Sequence, residues 1–410
     1  MNSLLLLMGL LLVAYLGSFL VGGERSVSGV GLPSSVEWVA LGAVIGPHAL
    51  GVVSTSVVDG VQSVITVALS WLMLTAGVQY ATTSRGNIAF WRVLVALPWA
   101  GATAAAVFGA VWYALPRVAP ELVKDRLVLG LALAAVSCET TRHAMRWVRE
   151  RYAARGPVID LLEDIACAED FVPIGLLVAL VSLSAKSKLA WLGIAGVSGI
   201  TVGLGAVLGA LCGMLLGREF RLRESWGTVL GISLLAIGVS AMVGLAFVVV
   251  SFVMGVILVL ASRHAGEIRA MLGPTQRGAL LPILIVCGVK LEPQALAHTF
   301  AIFGVVLGAR LVAKIVLSRV LVAAFPAAKG AGASLGLGMM SAGAMSMCVG
   351  LVCAVNFPGQ VGNTVLAVSA ALCIAGELVG PPALRATLRK LDELHEAPPS
   401  EHPAAAENAS

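Results

Sequence analysis

About thirteen apolar stretches of roughly 20 residues follow one another along this chain, joined by short polar links. A stretch of that length, wound as a helix, matches the thickness of a bilayer's hydrocarbon core. Inside that core every backbone N–H and C=O must be satisfied within the segment, which restricts the spans to helices or a closed barrel. Composition supports the reading: 59% of the 410 residues are hydrophobic and 12% charged, with a mean hydropathy of +0.96. A soluble domain carries about 45–50% apolar and about 25% charged residues. The net charge of +5 excludes a nucleic-acid partner on electrostatic grounds. The spans consume about 260 positions, leaving no room for a soluble catalytic domain. The chain reads as an all-α, polytopic inner-membrane protein in the lipid bilayer, neither an enzyme nor in need of a cofactor.

The spans fall at about 3–21, 33–48, 60–80, 89–115, 127–148, 158–183, 191–217, 227–244, 246–262, 277–291, 298–325, 332–355 and 362–385. The first lacks the basic n-region of a signal peptide and is followed by a dozen others, so it is read as a helix. Alternate loops are rich in arginine: Arg85 and Arg92; Arg142, Arg146, Arg149, Arg151 and Arg155; Arg218, Arg221 and Arg223; Arg263 and Arg269. This bias puts the amino terminus outside and the carboxyl terminus in the cytoplasm of a bacterial cell. Residues 1–391 form one transmembrane domain, with a first half at about 33–183 and a second at about 246–385. The tail 392–410 is polar, rich in Pro and Ala, and reads as disordered. Seven cysteines lie in apolar stretches without CxxC spacing and read as small buried hydrophobes.

Ionisable side chains within a span cost at least about 2.5–3.5 kcal/mol each and so need a reason. The sixth span holds Asp160, Glu163, Asp164, Glu169 and Asp170. Asp160, Glu163 and Asp164 suit an acidic mouth or a simple helix cap. Glu169 and Asp170 lie deeper, and Glu163 shares a helical face with Asp170. Pro173 has no N–H, which frees the carbonyl of Glu169 as an oxygen ligand. Two carboxylates and a bare carbonyl suit a hard monovalent cation; the bland alternative is an interfacial cap. Arg310 and Lys314 are four apart in the eleventh span and share a face; either taken singly could snorkel, but both lie near the centre of the span, so at least one points inward. In the fifth span Glu139, Thr140 and Thr141 interrupt an apolar helix. In the twelfth, Gly332, Gly336, Gly338, Gly343 and Gly350 point either to unwinding or to close helix packing. Glu377 reads as a surface-facing or locally paired acid before a Gly-Pro-Pro stop.

These residues resemble a family. IGPHALGVV at 45–53, AEDFVPIGLLVAL at 168–180 and ELVGPPALRATL at 377–388 are similar to motifs of the cation:proton antiporter superfamily, in its bacterial sodium/proton and potassium/proton exchanger branch. The resemblance implies an inverted-repeat fold in which the fifth and twelfth spans cross and unwind, with Thr140 beside an acid. It also implies a scaffold domain used for homodimerisation. Asp170 matches the near-invariant aspartate of the acidic-pair helix, Glu169 its variable partner, and Lys314 the buried lysine, a place Arg310 also fits. The twelfth span departs from the family: Ser341-Ala342-Gly343-Ala344 stands where a charged turn is common. The implied function is exchange of Na⁺ or K⁺ for protons by alternating access, with Asp170 and Glu169 binding the cation. Two alternatives belong to other classes: a non-transporting sensor or degenerate paralogue, and a Na⁺-coupled organic-anion symporter using an arginine such as Arg142. An intramembrane aspartyl protease fits less well, because its two aspartates belong on separate helices.

Overall fold

A computed structural model of the chain describes residues 37–53, 60, 62–84, 90–183, 188–216, 222–292 and 296–394. The span expected at 3–21 lies outside these residues, as does the tail from 395 onward. Among the described residues the elements are helical: α1 (Glu37–Ile45), α2 (Gln62–Ser84), α3 (Phe90–Val118), α4 (Arg126–Cys138) and α5 (Arg142–Arg151). They continue with α6 (Pro157–Glu169), α7 (Phe171–Leu183), α8 (Gly193–Leu215), α9 (Leu222–Val243) and α10 (Phe247–Ala261). The last are α11 (Ala265–Leu272), α12 (Thr275–Val289), α13 (Leu296–Ala324), α14 (Ser334–Gly338), α15 (Ala344–Asn356) and α16 (Gln360–Lys390). Six of the described stretches are long and apolar enough to cross a bilayer by length and composition, α6 and α7 together forming one. This is a multi-pass membrane protein.

The helices sort into two groups by what they touch. In the first, α2 packs on α10, α10 on α8, and α1 on α12. Glycines let these backbones approach. A Cβ on Gly77 would stand 2.2 Å from the carbonyl oxygen of Phe252, and one on Gly255 would stand 2.2 Å from that of Leu74. Such small-residue crossings are the usual adhesive where lipid removes the hydrophobic drive between helices. The second group is α3–α7 with α13–α16, in which α16 touches α4, α5, α13, α14 and α15.

Two spans of this second group are broken. The expected span at 127–148 is α4 and α5, joined by extended backbone through Glu139 (φ −73°, ψ 146°) and Thr141 (φ −71°, ψ 126°). The expected span at 332–355 is α14 and α15, joined by residues 339–343. The breaks cross, and Thr141 N–H donates to the carbonyl of Ser341 at 3.0 Å. A Cβ on Gly343 would stand 2.4 Å from Thr141 Oγ1, so the glycine is what lets the two breaks meet.

One expectation changes. The Gly-Pro-Pro at 380–382 does not stop the last helix, which runs on to Lys390 through Pro381 and Pro382. Ser341 Oγ, from the break between α14 and α15, donates to the Gly376 carbonyl at 3.4 Å and ties this part of α16 to the crossing. Glu377 is buried, which removes the surface-facing alternative and leaves the locally paired one. The loop between the ninth and tenth spans contains α11, whose Ile268, Met271 and Leu272 are buried. All seven cysteines are buried and form no disulfide.

Candidate functional site

A helix break creates two ends whose backbone groups are unpaired, partially positive at the new N-terminus and partially negative at the new C-terminus. The crossing places three ionisable side chains on these ends. Arg310, from α13, donates from Nη2 to the carbonyls of Glu139 (2.7 Å), Met340 (3.1 Å) and Ser341 (3.3 Å), just past the C-termini of α4 and α14. Lys314, one turn on, reaches the carbonyl of Cys138, the last residue of α4, at 3.4 Å. Opposite them, the Glu139 carboxylate accepts from Ser346 N–H at 2.8 Å and Ser346 Oγ at 2.6 Å, in the first turn of α15. The acid of one break thus caps the half-helix of the other.

Lys314 also joins the crossing to the acidic helix. Its Nζ donates to Thr140 Oγ1 at 2.8 Å and to Glu169 Oε1 at 3.0 Å, and lies 5.6 Å from the centroid of the Trp99 ring. Thr140 Oγ1 in turn donates to the Met339 carbonyl at 3.2 Å. Lys314, Glu169 and Arg310 are all 0% exposed. The sequence left Arg310 and Lys314 interchangeable; the fold gives them different tasks.

Asp170 faces another way. Successive residues on a helix point about 100° apart, and here the helix itself is interrupted between Glu169 and Phe171. The interruption falls where the missing N–H of Pro173 would have bonded the Glu169 carbonyl. Asp170 lines a cavity of about 50 Å³ that Glu169 does not line, so the adjacent carboxylates do not share one opening. The Asp170 carboxylate meets Arg142 Nη2 at 3.5 Å, a long and partly exposed contact, and Arg142 Nη1 approaches Cys167 Sγ at 3.4 Å. Such a volume holds a few water molecules.

The cavity lies between the two helix groups. Met73, Ala76 and Gln79 of α2 and Gln276 of α12 form one wall, and Glu139, Thr141, Arg142 and Asp170 the other. Gln79 donates to Gln276 across the first wall. The half-buried Arg146 and exposed His143 mark where it opens, at the arginine-rich end of the molecule. Beyond Asp170 the same interface is apolar. Phe171 meets Tyr80 edge-on at 4.6 Å and Phe252 at 5.8 Å, and Pro173, Ile174 and Leu177 face Val248 and Val249. Glu163 does not line the cavity: it is held by Arg149 at 2.6 Å, and the same arginine binds Asp160. Arg142 and Ser346 were not singled out as parts of the acidic site by sequence, because a polar residue after a helix break carries no signal of what it faces.

Comparison with known proteins gives a consistent picture. The family model for "Sodium/hydrogen exchanger, transmembrane" matches residues 11–385. The fold is similar to the structure of the sodium proton antiporter MjNhaP1 from Methanocaldococcus jannaschii at pH 8, with a TM-score of 0.69 and 14% identity over 95% of this chain and 99% of that one. A second structure of that antiporter, from electron microscopy, matches with a TM-score of 0.61 and 12% identity over 97% of this chain and 100% of the other. No curated protein matches the chain by sequence.

Proposed function

The chain belongs to the sodium/hydrogen exchanger family, and from that premise we propose that Asp170 is the carboxylate at which its monovalent cation and its proton compete. The protein is a cation:proton antiporter. One carboxylate that binds either species enforces exchange by mass action, without a second gate. Its loaded and protonated states are neutral and cross a low-dielectric barrier, whereas the bare carboxylate is heavily penalised there. The observation that carries this assignment is the position of Asp170 at the cavity wall, between the two helix groups, while Glu169 is enclosed with Lys314.

In this reading Arg142 is the counter-charge of the vacant carboxylate, loose enough at 3.5 Å to be displaced by an arriving cation. Lys314 neutralises Glu169 throughout the cycle. Arg310 and Glu139 hold the crossing together by neutralising its helix ends, which leaves Ser341-Ala342-Gly343-Ala344 free to be small and uncharged. The arginine-rich end faces the cytoplasm by the positive-inside rule, so the cavity opens inward and the Tyr80–Phe171–Phe252 cluster closes the outer path. Sliding of the group α3–α7 with α13–α16 along the group of α1, α2, α8, α10 and α12 would open the opposite side. Homodimerisation through the glycine-packed group follows from the family resemblance, with exposed Val207, Leu211 and Met214 of α8 as available apolar surface.

Proteoliposomes containing a pH dye test the reading. Challenge with Na⁺, K⁺ or Li⁺ should drive proton movement against at least one of them between about pH 6 and 9. Silence with all three would overturn it in favour of a sensor without transport.

A further inference from the structure

The acidic helix is capped from the far end of the chain. Helix α6 begins Gly156-Pro157, and its first residues need partners for their N–H groups. Pro157 has none to satisfy, and Asp160 N–H bonds the Gly156 carbonyl at 3.3 Å. The two between, Val158 and Ile159, donate to Glu393 Oε1 at 2.8 Å and Oε2 at 3.0 Å. Arg155 N–H donates to the Glu393 carbonyl at 2.9 Å, and Glu393 N–H to the carbonyl of Leu388 at 3.0 Å. Every early donor of α6 is thereby accounted for, two of them by one side chain 235 and 234 residues away.

This segment was expected to begin a disordered tail, yet Glu393 is 5% exposed. Leu391 and Leu394 pack against the cluster that contains Val158, Ile159, Leu162 and Leu388. Gly156 leaves the space the carboxylate fills: a Cβ there would stand 2.3 Å from Glu393 Cδ. The contact is local, charge-assisted and set on a positive helix end, where a carboxylate is most effective. At the other end of the same helix, thirteen residues along from Gly156, is Glu169, and then Asp170.

We propose that Glu393 is a positioning residue for ion exchange: residues 391–394 form a strap whose docking on the first turn of α6 sets the axial position of the helix that carries Glu169 and Asp170. The strap is the last described segment before the polar tail. An event on that tail that lifts Glu393 would free α6 at its cytoplasmic end and move Asp170 relative to the cavity wall. The proposal rests on Asp170 as the exchanging carboxylate.

The test uses the full-length protein and two truncations in proteoliposomes, with Na⁺- and K⁺-driven proton flux recorded for apparent KM and maximal rate and melting recorded on the same samples. Truncation after Leu394 should leave KM within about twofold, while truncation after Leu391 and Glu393→Ala should each raise it roughly fivefold to tenfold, the range a lost helix cap supports. Glu393→Gln, which keeps an acceptor oxygen but not the charge, should fall between. Gly156→Ala should mimic Glu393→Ala by displacing the carboxylate. The proposal is overturned if Glu393→Gln and the Leu391 truncation melt lower but keep the wild-type KM, which is a purely structural cap. It is equally overturned if the Leu394 truncation shifts KM as far as the Leu391 truncation. Asp170→Asn runs alongside: exchange by that variant would defeat the site assignment on which the strap proposal rests, an outcome distinct from a wild-type KM in the strap variants.

Discussion

At the crossing of the broken helices, Lys314 holds Glu169 at 3.0 Å with both side chains sealed from solvent; one residue further on, Asp170 meets Arg142 at 3.5 Å beside a cavity. In the first region each charge meets a partner or a helix end, with Glu169 Oε2 and Arg310 Nε and Nη1 buried without a hydrogen bond of their own. The second is left incomplete, with a long contact and room for a few waters. A buried pair that loses one member leaves an uncompensated charge, which fixes it in place. A partly hydrated pair exchanges partners at little cost. On the proposed assignment, the structural charge of Glu169 and the working charge of Asp170 stand on adjacent residues that point about 100° apart.

That contrast can be broken most severely at Arg310. Arg310→Ala removes the donor shared by three carbonyls at the crossing and should cost about 3–5 kcal/mol, seen as a sharply lower melting temperature or loss from the membrane. Arg310→Lys should rescue it only in part, since an ammonium cannot reproduce the guanidinium fork. Next in size is Lys314→Met, which leaves Glu169 buried and unpaired. The double variant Lys314→Met/Glu169→Gln should recover most of the lost stability, because both charges leave together; a double-mutant cycle of melting free energies reads this directly.

Arg142→Gln sharpens the other side of the contrast. Removing the tethered competitor should lower the apparent KM for the cation severalfold while melting shifts little, a change opposite in sign to the loss of a ligand. The smallest effect belongs to Arg149→Ala. Its pairs with Asp160 and Glu163 are about a third exposed at the arginine, so the loss should be about 0–1 kcal/mol with transport within about twofold.

Much of this was readable in one dimension. Spans such as α8 and α10 are continuous apolar runs whose lengths match the helices, and Asp170 stood out because ionisable residues are rare at that depth. The interruption at Glu139-Thr140-Thr141 was visible as polar residues in an apolar run. What was not readable depends on partners distant in sequence. Nothing in FGVVLGARLVAKIVLSRVL says that Arg310 meets helix ends and Lys314 a carboxylate, because both lie on one face. Likewise Pro381-Pro382 signals a stop, and only the packing of α16 against five neighbours overrides it. Glu393 lies in a stretch whose composition resembles a linker, and its order comes from two N–H groups more than 230 positions away.

The division of labour between Glu169 and Asp170 is tested most directly by reconstituting purified Asp170→Asn beside wild type in vesicles with an internal pH dye. Asparagine keeps the shape and removes the titration, so the variant should melt close to wild type and show no cation-driven proton flux at any pH from about 6 to 9. Exchange by folded Asp170→Asn at near the wild-type rate would contradict the account.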